Sequence, residues 1–84
     1  MRNELFRLTP ADDFELLLEY ENGELRRFDM KPLLGMKPWN RIASRAMFAL
    51  VRLEYGTAVW PGNIDVAPET LYFDSVRVEP SAVA

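Results

Sequence analysis

The pair Asn22-Gly23, set between the runs FELLLEY and ELRRFDM, constrains this chain more than any other feature. Asn-Gly takes positive φ readily, and a two-residue turn built on it has the twist that paired strands need. The sequence therefore predicts a β-hairpin. A two-residue loop fixes its register: Glu21 opposes Glu24, Tyr20 opposes Leu25, Glu19 opposes Arg26, Leu18 opposes Arg27 and Leu17 opposes Phe28. Alternation with period two then gathers Phe14, Leu16, Leu18, Tyr20 and Leu25 on a core face. The other face carries Glu15, Glu19, Glu21, Glu24 and Arg26, with Leu17, Phe28 and Met30 toward the open end. Glu19 and Arg26 form a favourable cross-strand pair in this register.

The segment LFRL ahead of the hairpin reads as a short strand ended by Thr9-Pro10, with TPADD as the turn into the hairpin. A two-stranded ribbon is marginal in water, so this strand is expected to make a third. Beyond the hairpin, Pro32 suits the first turn of a short helix, Gly35 suits its end, and Pro38 blocks continuation. Asn40 is then an N-cap for the helical segment RIASRAMFALV, in which Ile42, Ala46 and Ala49/Leu50 recur with helical spacing. From Val51 the period changes to two, and Gly56 divides this run from TAVW, which predicts a second hairpin. A helical turn or short helix follows in APETLYFDSV. The expected architecture is α+β: a mainly antiparallel sheet of about five strands, three N-terminal and two in the later hairpin, with two or three short helices on one face. Residues 1–78 form one domain on this reading, and residues 79–84 a frayed tail.

Composition removes much chemistry. The 84 residues include no histidine and no cysteine. That excludes a histidine-dependent triad, an imidazole or thiolate metal site and a disulfide framework. Lack of cysteine and of an N-terminal apolar secretory region favours the cytoplasm, and no run approaches the length of a membrane span. Ten basic residues against 13 acidic ones leave a net charge of −3, with the arginines scattered, so direct nucleic-acid binding is not expected. The four glycines are isolated and form no phosphate-cradling loop. No cofactor is expected.

The stretch VWPGNIDVAPETLY, from Val59 to Tyr72, is the most unusual. Pro61-Gly62 is a turn dipeptide, Asp65 an acceptable N-cap, Pro68 a first-turn proline, and Glu69 sits where it complements the helix dipole. On this reading the segment steers the main chain. An alternative gives it a binding role, with Trp60, Asp65 and Glu69 edging a cleft for a small ligand or a divalent cation. Tryptophan and arginine dominate binding hot spots, which makes Trp39, Arg41, Arg45 and Trp60 the candidate interface residues.

Together, DDFELLLEYENGELRRFDMKPLL, FALVRL and AVWPGNIDVAPETLY resemble the bacterial family catalogued as domain of unknown function 2442. Its pattern of a D/N-G hairpin turn, a strand ending D-V-x-P-L-L and a closing W-P-N/G-x-D-I/L-x-P-D/E-x-L-Y falls here on Asn22-Gly23, on Asp29 to Leu34, and on Trp60 to Tyr72. Met30 stands where valine is usual, and MKPWN departs from the usual linker. The resemblance implies a small α+β domain with no established activity. Relatives with an appended helix-turn-helix imply regulation, and others look like members of toxin–antitoxin gene pairs. The matching residues here hold no helix-turn-helix, so DNA binding is not carried over. The resulting expectation is a non-catalytic protein-interaction module, an accessory or antitoxin-like subunit, whose partner is another small protein or a second copy of itself.

Overall fold

The computed structural model describes residues 3–78, and the expected frayed tail at 79–84 lies outside the described residues. Strands β1 (Leu5–Ala11), β2 (Glu15–Tyr20) and β3 (Leu25–Asp29) form the antiparallel set that the sequence predicts. The register differs by one residue. The hairpin loop holds Glu21, Asn22 and Gly23, closed by the Gly23 amide on the Tyr20 carbonyl at 3.0 Å and the Tyr20 amide on the Glu24 carbonyl at 3.0 Å. Gly23 takes the left-handed conformation, φ +93°, as the last residue of a three-residue loop must. Asn22 serves through its side chain, whose Oδ1 accepts the Glu24 amide at 2.9 Å.

Leu16 therefore faces Phe28, Leu17 faces Arg27, and Leu18 faces Arg26. A slip of one residue turns every β3 side chain to the other face. Phe28 and Met30 enter the core at 3% and 0% exposure, whereas Leu25 joins the outer face and is only half-buried. Glu19 opposes Leu25, and its carboxylate lies 3.7 Å from Arg7 on β1, so the expected Glu19–Arg26 pair does not form.

β1 also runs further than expected, through Pro10 to Ala11. Proline is tolerated there because β1 is an edge strand, where a missing N–H need leave no ladder bond unmade. The predicted helix over 41–51 is interrupted. A 3-10 turn spans Trp39–Ile42, Ala43 leaves helical geometry at ψ +32°, and Ser44 is extended. The Ser44 hydroxyl then caps helix α1 (Arg45–Phe48) by accepting the Met47 amide at 3.2 Å, the duty expected of Asn40. Core geometry explains the break. In one straight helix Ile42 and Phe48 would point about 120° apart, yet both are buried here, at 0% and 4% exposure.

The second hairpin is as predicted, with β4 (Arg52–Glu54) and β5 (Thr57–Trp60) joined by Tyr55 and Gly56, both at positive φ. Two further strands go beyond the sequence reading. β6 (Ile64–Asp65) extends this hairpin into a sheet of order β4-β5-β6. After helix α2 (Pro68–Phe73), β7 (Val76–Arg77) pairs with β3, giving a first sheet of order β1-β2-β3-β7. The fold is α+β, with seven strands in two sheets among the described residues rather than about five in one. One core joins both sheets: Leu16, Leu18 and Met30 from the first pack with Ala58, Trp60 and Ile64 of the second, and α2 adds Leu71.

Candidate interaction surface

The four residues predicted to form an interface separate in space and in burial. Trp60 has no exposed surface, its indole N–H donates to the Phe48 carbonyl at 2.9 Å, and its ring lies 5.7 Å from that of Phe48. It is a core residue and can edge neither an interface nor a cleft. Trp39 is half-buried in the 39–42 turn and donates its indole N–H to the Asp65 carbonyl at 2.9 Å, tying that turn to β6. Arg41 is exposed beside the Pro61–Asn63 turn, and its guanidinium comes within 3.8 Å of where a Cβ on Gly62 would stand. Arg45, also exposed, belongs to a different surface, a cleft bordered by Asp12, Phe14 and Phe48.

The Val59–Tyr72 stretch mostly does backbone work, though not as expected at Asp65. Residue 67 is the N-cap of α2 and gives no side-chain cap, whereas Asp65 sits on β6 with its side chain exposed. Pairing with β5 claims that position first. Pro68 and Glu69 occupy the first turn of α2 as predicted. Glu69 is exposed and Trp60 enclosed, so the three residues do not border a common cleft. Among the described residues no group of three or more acidic side chains stands together in a way that could hold a metal ion.

A cluster that the sequence does not reveal joins the two motif ends. The Glu24 carboxylate accepts hydrogen bonds from Asn22 Nδ2 at 2.8 Å, from Arg26 Nη1 at 2.6 Å, and from the Tyr72 hydroxyl at 2.9 Å and 3.0 Å. Arg26 lies over the Tyr72 ring, 4.3 Å from its centroid, and donates through Nε to Ser75 Oγ at 2.6 Å and through Nη2 to the Ser75 carbonyl at 3.1 Å. All three guanidinium nitrogens thus donate, and the bonds to Ser75 tie the residues after α2 to β3. A Glu-x-Arg spacing puts both side chains on one strand face, and that is the only signal the sequence offers. Asn22 and Tyr72 both enter this cluster through Glu24.

Hydrogen bonds from Asn22, then Arg26 and Tyr72, hold the Glu24 carboxyl below the ordinary glutamate value. Burial pushes the neighbouring Tyr20 phenol up to about 12. Burial also acts to raise the Asp29 carboxyl, but the Lys31 amide and ammonium outweigh it and hold that group low. A depressed carboxyl lends stability that is complete above its unfolded value, about 4.3 for glutamate, and lost as pH falls through the folded one. The urea midpoint should therefore fall as pH is lowered below about 4.3, and Glu24→Gln should flatten that fall. An unchanged acid slope in the variant would remove Glu24 from the account.

Large apolar side chains also remain outside. Phe73 and Val76, at 74% and 67% exposure, flank the turn from α2 into β7, and β7 is an edge of the first sheet. Tyr55 is 90% exposed at the tip of the second hairpin. Among the described residues no helix is long and apolar enough to cross a membrane.

Comparison with known proteins gives one finding. The family model described as "Protein of unknown function (DUF2442)" matches residues 7–77, which takes in both the hairpin turn and the closing motif. Searches of curated proteins and of solved structures found no match.

Proposed function

We propose that this chain, which belongs to the DUF2442 family of proteins of unknown function, is a non-catalytic protein-interaction module. It serves as an accessory or antitoxin-like subunit in a reducing cytoplasm, and its partner is another small protein or a second copy of the chain. The observation that carries this reading is the exposure of Phe73 and Val76 at 74% and 67%, the first at the end of α2 and the second on the edge strand β7. An aromatic residue close to a sheet edge and a β-branched residue on it give a partner apolar anchors next to main-chain donors and acceptors. Trp39 and Arg41 give a second set of contacts of the kind that interfaces favour. Trp60 is no part of the surface.

Light scattering coupled to size exclusion, followed by co-purification with a tagged chain, tests this. The wild-type chain should be a dimer or hold one partner in fixed ratio. The double substitution Phe73→Ser and Val76→Ser should leave far-UV dichroism unchanged and weaken association at least about tenfold, as loss of two apolar anchors would. A wild-type chain that stays monomeric and retains no partner in fixed ratio defeats the reading.

A further inference from the structure

The Arg45 cleft contains charges that the fold itself leaves unused. It has a volume of about 290 Å³ and lies where the end of β1 meets α1. Phe14 and Phe48 line it as an edge-to-face pair with centroids 5.3 Å apart. Asp12, Asp13 and Arg45 supply its charged lining. Asp13 is already engaged, since Lys31 Nζ lies 3.1 Å from its carboxylate and donates to its carbonyl at 2.9 Å. Asp12 and Arg45 are exposed and, among the described residues, take part in no ion pair and no side-chain hydrogen bond, with each other or with any third group.

The backbone goes out of its way to build this wall. Asp13 and Phe14 lie consecutively at φ +66° and +60°, a region that non-glycine residues disfavour. The Met30 amide on the Phe14 carbonyl at 3.0 Å and the Lys31 ammonium on the Asp13 carbonyl hold them there. The result sets a free carboxylate and a free guanidinium around an aromatic pair, with the remaining acid neutralised.

A ligand that satisfies all three elements carries a carboxylate for Arg45, an ammonium for Asp12 and a hydrocarbon group for Phe14 and Phe48. We propose that this cleft binds a free α-amino acid with an aromatic or branched apolar side chain. The volume lies at the small end of ligand sites and matches a single small molecule. The free carboxylate of Asp12 disfavours phosphates and other polyanions. Because the charged groups are exposed and screened, binding should be weak, with Kd of about 0.1–1 mM. The proposal is independent of the interaction surface at β7.

Two-dimensional amide NMR of the full chain, titrated with L-phenylalanine, tests it. Saturable shifts should cluster at Asp12 to Phe14 and at Arg45 to Ala49. 3-Phenylpropionate, which lacks the ammonium, and phenethylamine, which lacks the carboxylate, should each bind at least about tenfold more weakly. Arg45→Gln should weaken L-phenylalanine about tenfold and leave phenethylamine unchanged. Asp12→Asn should do the converse, sparing phenylpropionate. Absence of saturable shifts up to about 10 mM, shifts centred elsewhere, or half-molecules that bind as tightly as the whole would each overturn the proposal. The three probes compared on the wild-type chain decide between these outcomes even if a variant folds poorly.

Discussion

Trp60→Ala is expected to lower the free energy of unfolding by about 3–5 kcal/mol, the range for deleting a large ring from a packed interior. Trp60 has no exposed surface, and its ring touches the Phe48 ring that also meets Phe14. The loss therefore reaches through one aromatic row to the end of β1. Its indole N–H also satisfies the Phe48 carbonyl at 2.9 Å, at the end of α1. Trp60→Phe separates the two contributions: the ring is largely kept and the donor lost, at about 0.5–1.5 kcal/mol, since the Phe48 carbonyl still accepts the Val51 amide at 3.3 Å. A domain of this length has only about 4–13 kcal/mol in total. The alanine variant should thus lose a large share of that stability, whereas Trp39→Ala, at a half-exposed site, should cost about 1 kcal/mol or less. Urea titration followed by far-UV dichroism measures all three. Equal costs at positions 39 and 60 would return Trp60 to the surface.

That contrast bears on what the chain discloses before it is folded. Both tryptophans neighbour a proline, and nothing local separates the enclosed ring from the half-buried one; the difference arises where β5 is flanked by β4 and β6. Hairpins, by contrast, are local events. Asn22-Gly23 and Gly56 announce both, and Pro68 marks the start of α2, because positive φ and a missing N–H act on the residue that carries them. β6 and β7 are two residues each, too short for any period to show, and exist only through their partners. The Glu24 cluster is hidden for the same reason. A glutamate and an arginine beside a turn look like solvated charges until Tyr72 and Ser75, 48 and 49 residues further along, close over them. Arg45 stands out as a recognition residue from its type alone. Its cleft depends on the left-handed turn at Asp13 and Phe14, which no glycine or asparagine announces.

The hairpin register leads to the second large effect, because Asn-Gly is compatible with two loops. The type I′ two-residue loop that Asn-Gly favours needs both residues at positive φ, whereas a three-residue loop needs only its last one there. Local chemistry at Asn22-Gly23 does not choose between them, so the core does. The shorter loop would turn Leu25 inward and leave Phe28 and Met30 outside; the longer one buries both of the latter at 3% and 0% exposure. Phe28 and Met30 together remove more apolar surface from water than Leu25 can, at about 25 cal/mol per Å². The longer loop also lets Glu24 meet Asn22, Arg26 and Tyr72. Phe28→Ala should accordingly cost about 3–5 kcal/mol, and Leu25→Ala about 1 kcal/mol. The two-residue loop reverses that order. Equilibrium unfolding of the two single variants is therefore a direct reading of the register, and a Leu25 variant less stable than the Phe28 variant would place the chain in the other one.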